Sequence, residues 1–258
     1  MKNNIANRIN QMLRKGATRP AMVGLVLLLA ASLPVRANGI LPPYLYPGLL
    51  ARWWQWTLAF PADADPASDT AHQESAQSGP VWFLAGVHGR SQTGVISIVT
   101  RQITVPGGKL LFFPVLSNWT DNSGCPTYTD FTVPELQAQI AGAWSAVTET
   151  TCTIDGVPVP GLGNPQTTPY LVKSTVFSYT LASHDNLLAA DFGEPCIPDG
   201  TTVFPAVAQG VCLMLAPLPP GHHTIHFVGV VGPPANPFVE IYLTYNVTVV
   251  ANFQNDQD

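Results

Sequence analysis

Short apolar or alternating segments, separated by glycine and proline, make up most of the chain after residue 80. Alternation of apolar and polar side chains indicates a strand with one buried face, and a short unbroken apolar run indicates a strand buried on both faces. The candidate strands are VWFLAG, GVISIV, KLLFFPV, TCTIDGVPV, LVKSTVFSYTL, GVCLMLAPL, HHTIHFVGVV and VEIYLTYNVTVV. Because they do not alternate regularly with helices, they predict a mainly β fold, an antiparallel β-sandwich or jelly roll with two peripheral α-helices.

The first helix is predicted in the segment LLARWWQWTLAF. A helix that is apolar on two adjacent sides is buried against a large surface. We therefore expect its three tryptophans to lie in the core, in preference to an exposed aromatic platform for sugars. The two rows at helical spacing are Leu49, Trp53, Trp56 and Phe60, and Leu50, Trp54 and Leu58.

The second helix is predicted in the segment FTVPELQAQIAGAWSAVTE. Thr132 and Glu135 have the spacing of a capping box, and Pro134 falls in the first turn, which tolerates a missing backbone N–H. The apolar face of this helix is formed by Leu136, Ile140, Trp144 and Val147.

Residues 1–37 have the pattern of a signal peptide, with basic residues before an uncharged apolar run and small residues before a cleavage point after Ala37. The apolar run from Ala21 to Val35 is fifteen residues long, short of the roughly 20 that span a bilayer. Retention as an anchor is the alternative. We predict that residues 38–258 form a single β-rich domain that is secreted or periplasmic, with no stable membrane insertion after cleavage.

The predicted domain is strongly acidic. Six of the eleven basic residues lie in the leader, so five remain against sixteen acidic residues, a formal net charge of −11. Such a surface repels phosphate backbones and anionic lipids, which argues against nucleic acid or membrane-surface partners. Cations, a neutral small molecule or a carbohydrate fit better.

Four cysteines, an even number in an exported chain, indicate two disulfides. Three pairings are open. Sequential pairing, which closes the shortest loops, is the expectation: Cys125 with Cys152 and Cys196 with Cys212.

Half of the six histidines stand in LPPGHHTIHF, a spacing that raises the question of a metal site. If this segment is a strand, His222 and His226 share a face but lie roughly 13 Å apart at ~3.3 Å per residue, and His223 points the other way. A zinc ion holds its ligand atoms only about 2 Å away. We therefore expect structural or surface roles for the three imidazoles.

Two predicted strands are each followed by polar residues. His88 and Arg90 follow VWFLAG, whereas Trp119 and Asp121 lie at the end of the strand that begins with KLLFFPV. If the two strand ends are neighbours, these four side chains can line one pocket with an aromatic wall and polar groups, the usual shape of a small-ligand site. The alternative is that they are exposed turn residues.

The loop ADADPASD offers Asp63, Asp65 and Asp69 as calcium ligands. The pattern is incomplete, because it lacks the glycine and the final acid of a calcium-binding loop. A solvated loop is the alternative, and no other cofactor is expected.

No catalytic signature stands out. A nucleophile elbow is absent, and the neighbours Ser183, His184 and Asp185 cannot form a relay because adjacent side chains point apart. A carboxylate pair for hydrolysis remains open. Its candidates are Asp121, Asp130, Asp155, Asp191, Glu194 and Glu240.

The strings WWQWTLAFP, QSGPVWFLAG, VPGGKLLFFPV, DGVPV and LPPGHHTIHF cover most of the predicted domain. They resemble a family of uncharacterised exported bacterial proteins that carry GPVWFLAG and LPPGxHTIHF segments. The resemblance implies export and a single domain but no activity. We therefore expect an exported acidic β-sandwich that acts as a ligand-binding or structural module. The alternative is an extracellular hydrolase or lyase that uses a histidine and a carboxylate as acid and base.

Overall fold

The computed structural model describes residues 39–68, 72–88, 95–125 and 127–251, which belong to one compact unit. The predicted signal peptide therefore lies outside the described residues. No helix within these ranges is long and apolar enough to cross a membrane. The helices are α1 (Tyr46–Leu58), α2 (Val133–Trp144) and α3 (Leu187–Ala190). The strands are β1 (Val81–Phe83), β2 (Val95–Pro106), β3 (Leu110–Asp121), β4 (Val147–Ile154), β5 (Val157–Pro158), β6 (Leu171–Lys173), β7 (Phe177–Thr180), β8 (Thr202–Leu215), β9 (Gly221–Val231) and β10 (Val239–Val250).

Two sheets of five strands pack together, which confirms the mainly β sandwich. The first sheet has the order β1-β3-β8-β6, with β7 also paired to β8, and the second has the order β2-β10-β9-β4-β5. Among the described strands, β1 pairs with β3 and β2 pairs with β10 in parallel, and the other pairs are antiparallel. The chain passes through β2 in the other sheet between β1 and β3, so no hairpin forces these two strands to run in opposite directions.

Aromatic rings from both sheets meet in the core between them. Phe227 of β9 stacks on Phe113 of β3 with ring centroids 5.2 Å apart, and on Tyr245 of β10 at 6.4 Å. Alternate residues of β10 are buried here, as expected for a strand with one face on the core. They are Ile241, Leu243, Tyr245, Val247 and Val249.

Helix α1 covers the outer face of the first sheet. Its Trp53, Trp54 and Trp56 are all buried, and the Trp53 indole N–H donates a hydrogen bond to the Leu84 carbonyl at 2.8 Å. The prediction that these rings belong to the core is confirmed.

Helix α2 begins as predicted. The capping box of Thr132 and Glu135 is present, and Leu136, Ile140 and Trp144 are buried. Trp144 reaches the core between the sheets, so the helix closes part of one side of the sandwich.

The predicted pairing of the cysteines is wrong. Cys125 bonds to Cys196, with Cα atoms 5.7 Å apart, whereas Cys152 and Cys212 are free and buried. Cys152 lies in the core between the sheets and Cys212 in the layer beneath α1. Cys152 belongs to β4 of the second sheet and Cys212 to β8 of the first sheet, and the two thiols lie in different layers of the core. Loop length carries no information about the layer in which a side chain lies.

Candidate functional site

The histidine run lies in a strand and does not converge on one point. Its residues belong to β9, as predicted, and their side chains alternate between the faces of the sheet. The Nδ1 atom of each ring has its own partner: Thr248 for His222, Asp155 for His223 and Thr244 for His226. Neighbouring strands and turns therefore hold the three imidazoles separately.

Trp119 and Asp121 lie on the same face of β3, but they are engaged with each other. The Trp119 indole N–H donates to the Asp121 carboxylate at 2.9 Å, and the Tyr179 hydroxyl donates to the same carboxylate at 2.6 Å. Burial, followed by the charge of Asp121 and the hydrogen bond to it, raises the pKa of Tyr179, so the phenol keeps the proton that it donates. Asp121 thus anchors the end of β3.

His88 lies near Trp119 through a shared aromatic neighbour, Phe192. The His88 ring centroid is 5.1 Å from that of Phe192, which in turn lies 5.0 Å from that of Trp119. Trp54 of α1 packs against the same indole at 4.3 Å. The predicted site residues His88, Trp119 and Asp121 are thus brought into one region, and Arg90 lies outside the described residues.

Two carboxylates lie beside His88. An Asp65 oxygen is 3.0 Å from His88 Nδ1, and ligand atoms of Asp65, His88 and Asp191 all lie within 4.8 Å of one another. The Asp65 side chain is fully buried and that of His88 is 9% exposed. Burial alone would raise the pKa of Asp65, but contacts with His88, the Ala67 amide and the Ser68 hydroxyl hold it below its ordinary value. The cluster therefore combines an imidazole with an ionised carboxylate in a largely dry place.

A buried arginine holds the segments that carry Asp65 and His88. The Arg101 guanidinium donates to the carbonyl of Ala67 at 2.6 Å and to the carbonyls of Ala85 and Gly86 at 3.0 and 2.7 Å. These carbonyls lie two residues after Asp65 and two to three residues before His88. Arg101 thus fixes the spacing between the two side chains.

The predicted calcium loop is divided by the fold. Asp63 is exposed in a single 3-10 turn, Asp65 is turned inward, and Asp69 lies outside the described residues. Of this trio, Asp65 is the residue that joins the cluster with His88 and Asp191.

A cleft of about 160 Å³ opens between the sheets beside α2. Its wall is largely apolar, and two polar residues of β3, Ser117 and Asn118, also line it. The Asn118 Oδ1 atom is buried without a hydrogen-bond partner among the described residues. A smaller void of about 40 Å³ shares part of this wall and extends to His88. The apolar wall of the cleft includes Val87, Leu116, Trp144, Val231, Val239 and Ile241.

The sequence prediction missed Asn118 and Phe192 and gave Asp191 no special place. Because side chains alternate along a strand, Asn118 points to the face of β3 opposite Trp119. Strand periodicity could therefore have indicated the face on which Asn118 lies. Asp191 and Phe192 follow the short helix α3, and nothing local in their sequence marks them as neighbours of His88.

Comparison of the chain with protein-family models, with curated proteins and with solved structures finds no match. The function is therefore argued from the geometry above.

Proposed function

We propose that this protein is an exported binding module that holds a small, largely apolar molecule in the cleft between its sheets. The observation that carries the proposal is the amide oxygen of Asn118, which is buried and unpartnered among the described residues and belongs to a residue that lines the largely apolar cleft beside Ser117. Apolar walls with a few polar groups are the usual make-up of a small-molecule site. A buried acceptor without a donor is costly, and a ligand that supplies one donor removes that cost.

The size of the cleft limits the ligand. At about 160 Å³ the cleft matches the roughly 150 Å³ engineered cavities that bind benzene. A single ring with one hydroxyl or N–H group therefore fits. A carbohydrate fits less well, because the apolar wall leaves most sugar hydroxyls without partners.

Two features support export. The Cys125–Cys196 disulfide is typical of an oxidising compartment, and the predicted leader precedes the folded unit. N-terminal sequencing of the protein recovered from periplasm or medium should begin at Asn38. Recovery of the intact leader in a membrane fraction would contradict this.

Phenol and toluene are matched probes for the cleft, since they differ by the hydroxyl. We expect both to raise the melting temperature of the full chain. Phenol should bind about fivefold more tightly, as one net hydrogen bond of ~1 kcal/mol predicts. Glucose should have no effect. The absence of any stabilisation by either aromatic probe would refute the proposal.

Two variants localise the binding. Asn118→Leu removes the acceptor at similar volume and should abolish the preference for phenol over toluene. Val239→Phe fills the cleft and should prevent binding of both probes, whereas Val250→Phe adds the same ring at the exposed end of the same strand and should not. Equal binding to the Val239 and Val250 variants would place the probes elsewhere.

A second candidate is an exported hydrolase or lyase. It is favoured by one observation, the buried Asp65 carboxylate 3.0 Å from the His88 ring, a contact that can orient an imidazole for acid–base chemistry. Turnover of ester, glycoside or uronide substrates should then be lost in His88→Gln and kept in His226→Gln, whose ring contacts Thr244 instead. Unchanged turnover in His88→Gln would exclude this function for the site.

A further inference from the structure

We propose that Asp65, His88 and Asp191 together bind one divalent first-row transition-metal ion such as Zn²⁺ or Mn²⁺. This proposal is independent of the ligand in the cleft, because it concerns other side chains. Asp65 comes from the loop after α1, His88 from the segment after β1, and Asp191 from the residue after α3. Three separate segments of the chain thus bring one ligand atom each to within 4.8 Å of the others.

The His88 imidazole is the independent indication of a ligand. Its side chain is 9% exposed, and neither ring nitrogen has a hydrogen-bond partner among the described residues. Buried ring nitrogens normally have a partner, and leaving one without costs about 1 to 3 kcal/mol. Asp65 approaches Nδ1 to 3.0 Å without making an aligned hydrogen bond. An oxygen and a nitrogen this close to each other can serve as two ligands of one ion.

The distance between these two atoms is compatible with a shared ion. Ligand atoms about 2.1 Å from an ion lie about 3.0 Å apart at a right angle and about 3.4 Å apart at the tetrahedral angle. The observed 3.0 Å therefore lets both atoms reach one ion with little movement. Three protein ligands leave at least one position for water or a small anion.

The donor set selects the ion. One imidazole with two carboxylates suits Zn²⁺, Mn²⁺ or Fe²⁺, whereas Ca²⁺ takes six to eight oxygen ligands and is served poorly by nitrogen. The proposal thus replaces the calcium loop expected from Asp63, Asp65 and Asp69. It keeps Asp65 and assigns it a different ion.

The surroundings hold the two buried ligands in place before an ion arrives. Asp65 accepts hydrogen bonds from the Ala67 amide at 2.9 Å and from the Ser68 hydroxyl at 2.8 Å, which fixes its carboxylate. The His88 ring packs edge-on against Phe192, the residue after Asp191. Ligands fixed by contacts of this kind lose little entropy on binding.

The experiment is titration calorimetry on full-length protein purified without a histidine tag and stripped with a chelator. We expect Zn²⁺ and Mn²⁺ to bind with one ion per chain, and Ca²⁺ to bind at least 100-fold more weakly than Zn²⁺. His88→Gln and Asp191→Asn should each weaken Zn²⁺ binding at least 100-fold, with folding checked by circular dichroism. Asp191→Asn changes a residue that is not fully buried, so it keeps the test valid if His88→Gln does not fold.

The matched control is a second close pair of His and Asp among the described residues. His223 Nδ1 lies 2.8 Å from Asp155, but no third ligand joins them among the described residues. Asp155→Asn should therefore leave Zn²⁺ affinity unchanged. Failure of the unmodified protein to bind one Zn²⁺ or Mn²⁺, or equal weakening by the Asp155 and Asp191 variants, would overturn the proposal. Neither result would affect phenol binding in the cleft.

Discussion

Replacement of Arg101 by methionine tests whether one buried side chain joins the two segments that form the candidate site. Arg101 is 2% exposed, and its guanidinium donates to the carbonyls of Ala67, Ala85 and Gly86 and to the Tyr245 hydroxyl. Methionine has a similar length and no donor. The change therefore removes the hydrogen bonds with little change of volume.

The magnitude follows from the groups left behind. The carbonyls of Ala67 and Gly86 lose a donor, at about 1 to 3 kcal/mol each, whereas the Ala85 carbonyl keeps the Tyr245 hydroxyl at 2.7 Å. The substitution also removes a buried charge, whose desolvation costs several kcal/mol and offsets part of the loss. We expect the free energy of unfolding to fall by about 3 kcal/mol, a large part of the stability of a typical domain.

Urea denaturation followed by tryptophan fluorescence measures this loss. With a slope of about 2 to 3 kcal/mol/M, the midpoint should fall by about 1 to 1.5 M. Arg101→Lys should be intermediate, because an ammonium keeps the charge but cannot span three carbonyls. Arg52→Met, at an exposed position of α1, should change the free energy of unfolding by less than about 0.5 kcal/mol. A loss in Arg101→Met no larger than in Arg52→Met would refute the reasoning.

Three further predictions concern other parts of the fold. Burial raises the pKa of Cys152 to about 12 and also raises that of Cys212. A thiol reagent at pH 8 should therefore label no thiol in the native protein, two thiols after unfolding and four after unfolding and reduction. If no thiol were labelled after unfolding, the prediction of two disulfides would be correct after all. Burial opposes the His223–Asp155 pair, but their mutual contact raises the pKa of His223 and lowers that of Asp155. The contribution of His223 to the free energy of unfolding is lost as the pH rises through its raised pKa. The contribution of Asp155 is lost as the pH falls through its lowered pKa. Asp155→Asn should therefore lower the free energy of unfolding most between pH 3.8 and pH 6.5, the ordinary pKa values of the two groups, by up to about 1 kcal/mol at pH 5.5, and least at pH 8.5. Equal losses at pH 5.5 and pH 8.5 would contradict this. Gly210→Ala should lower the free energy of unfolding by about 1 to 3 kcal/mol in urea, because its Cβ would overlap the backbone of β3; an unchanged midpoint would contradict the close approach.

The helices and strands of this protein, and the faces they bury, could be predicted because the spacing of apolar side chains that indicates them is local. The rows of tryptophan in α1 and the alternation in β10 depend on side chains a few residues apart, and both were confirmed. The capping box at Thr132 is equally local. The partner of each strand is not local, so the sequence did not indicate that β2 runs parallel to β10.

The cysteines show the same limit. Sequential pairing assumed that short loops decide, but Cys125 and Cys196 lie in loops after β3 and α3 that the fold brings together. Cys152 and Cys212 are core side chains on different faces, where a small apolar residue would serve equally well.

The sequence indicated that His88, Trp119 and Asp121 could lie in one region, but it did not indicate that Asp65 and Asp191 lie beside His88. His88 follows one predicted strand, and Trp119 and Asp121 lie at the end of another, so the strand ends were the local signal for this region. For Asp65 the sequence predicts either a calcium ligand or a residue of a solvated loop, and acidic loops are normally exposed. Its burial depends on contacts made by His88 and Arg101, which stand far from it in the sequence.

The two proposals rest on one physical criterion, applied to the buried polar atoms that lack a partner among the described residues. The Gln209 amide oxygen and the Trp82 indole N–H belong to this group, but neither residue lines a described cavity. Asn118 lines the cleft, and His88 lines the adjoining void together with Trp54, whose indole N–H is also unpartnered among the described residues. A polar atom surrounded by packed side chains can gain a hydrogen bond only if the protein rearranges. A polar atom next to a cavity can instead receive its hydrogen bond or metal bond from a ligand. Ligand binding should therefore stabilise the folded chain. Substitution of Asn118 should reduce the stabilisation by phenol, and substitution of His88 should reduce the stabilisation by the metal ion.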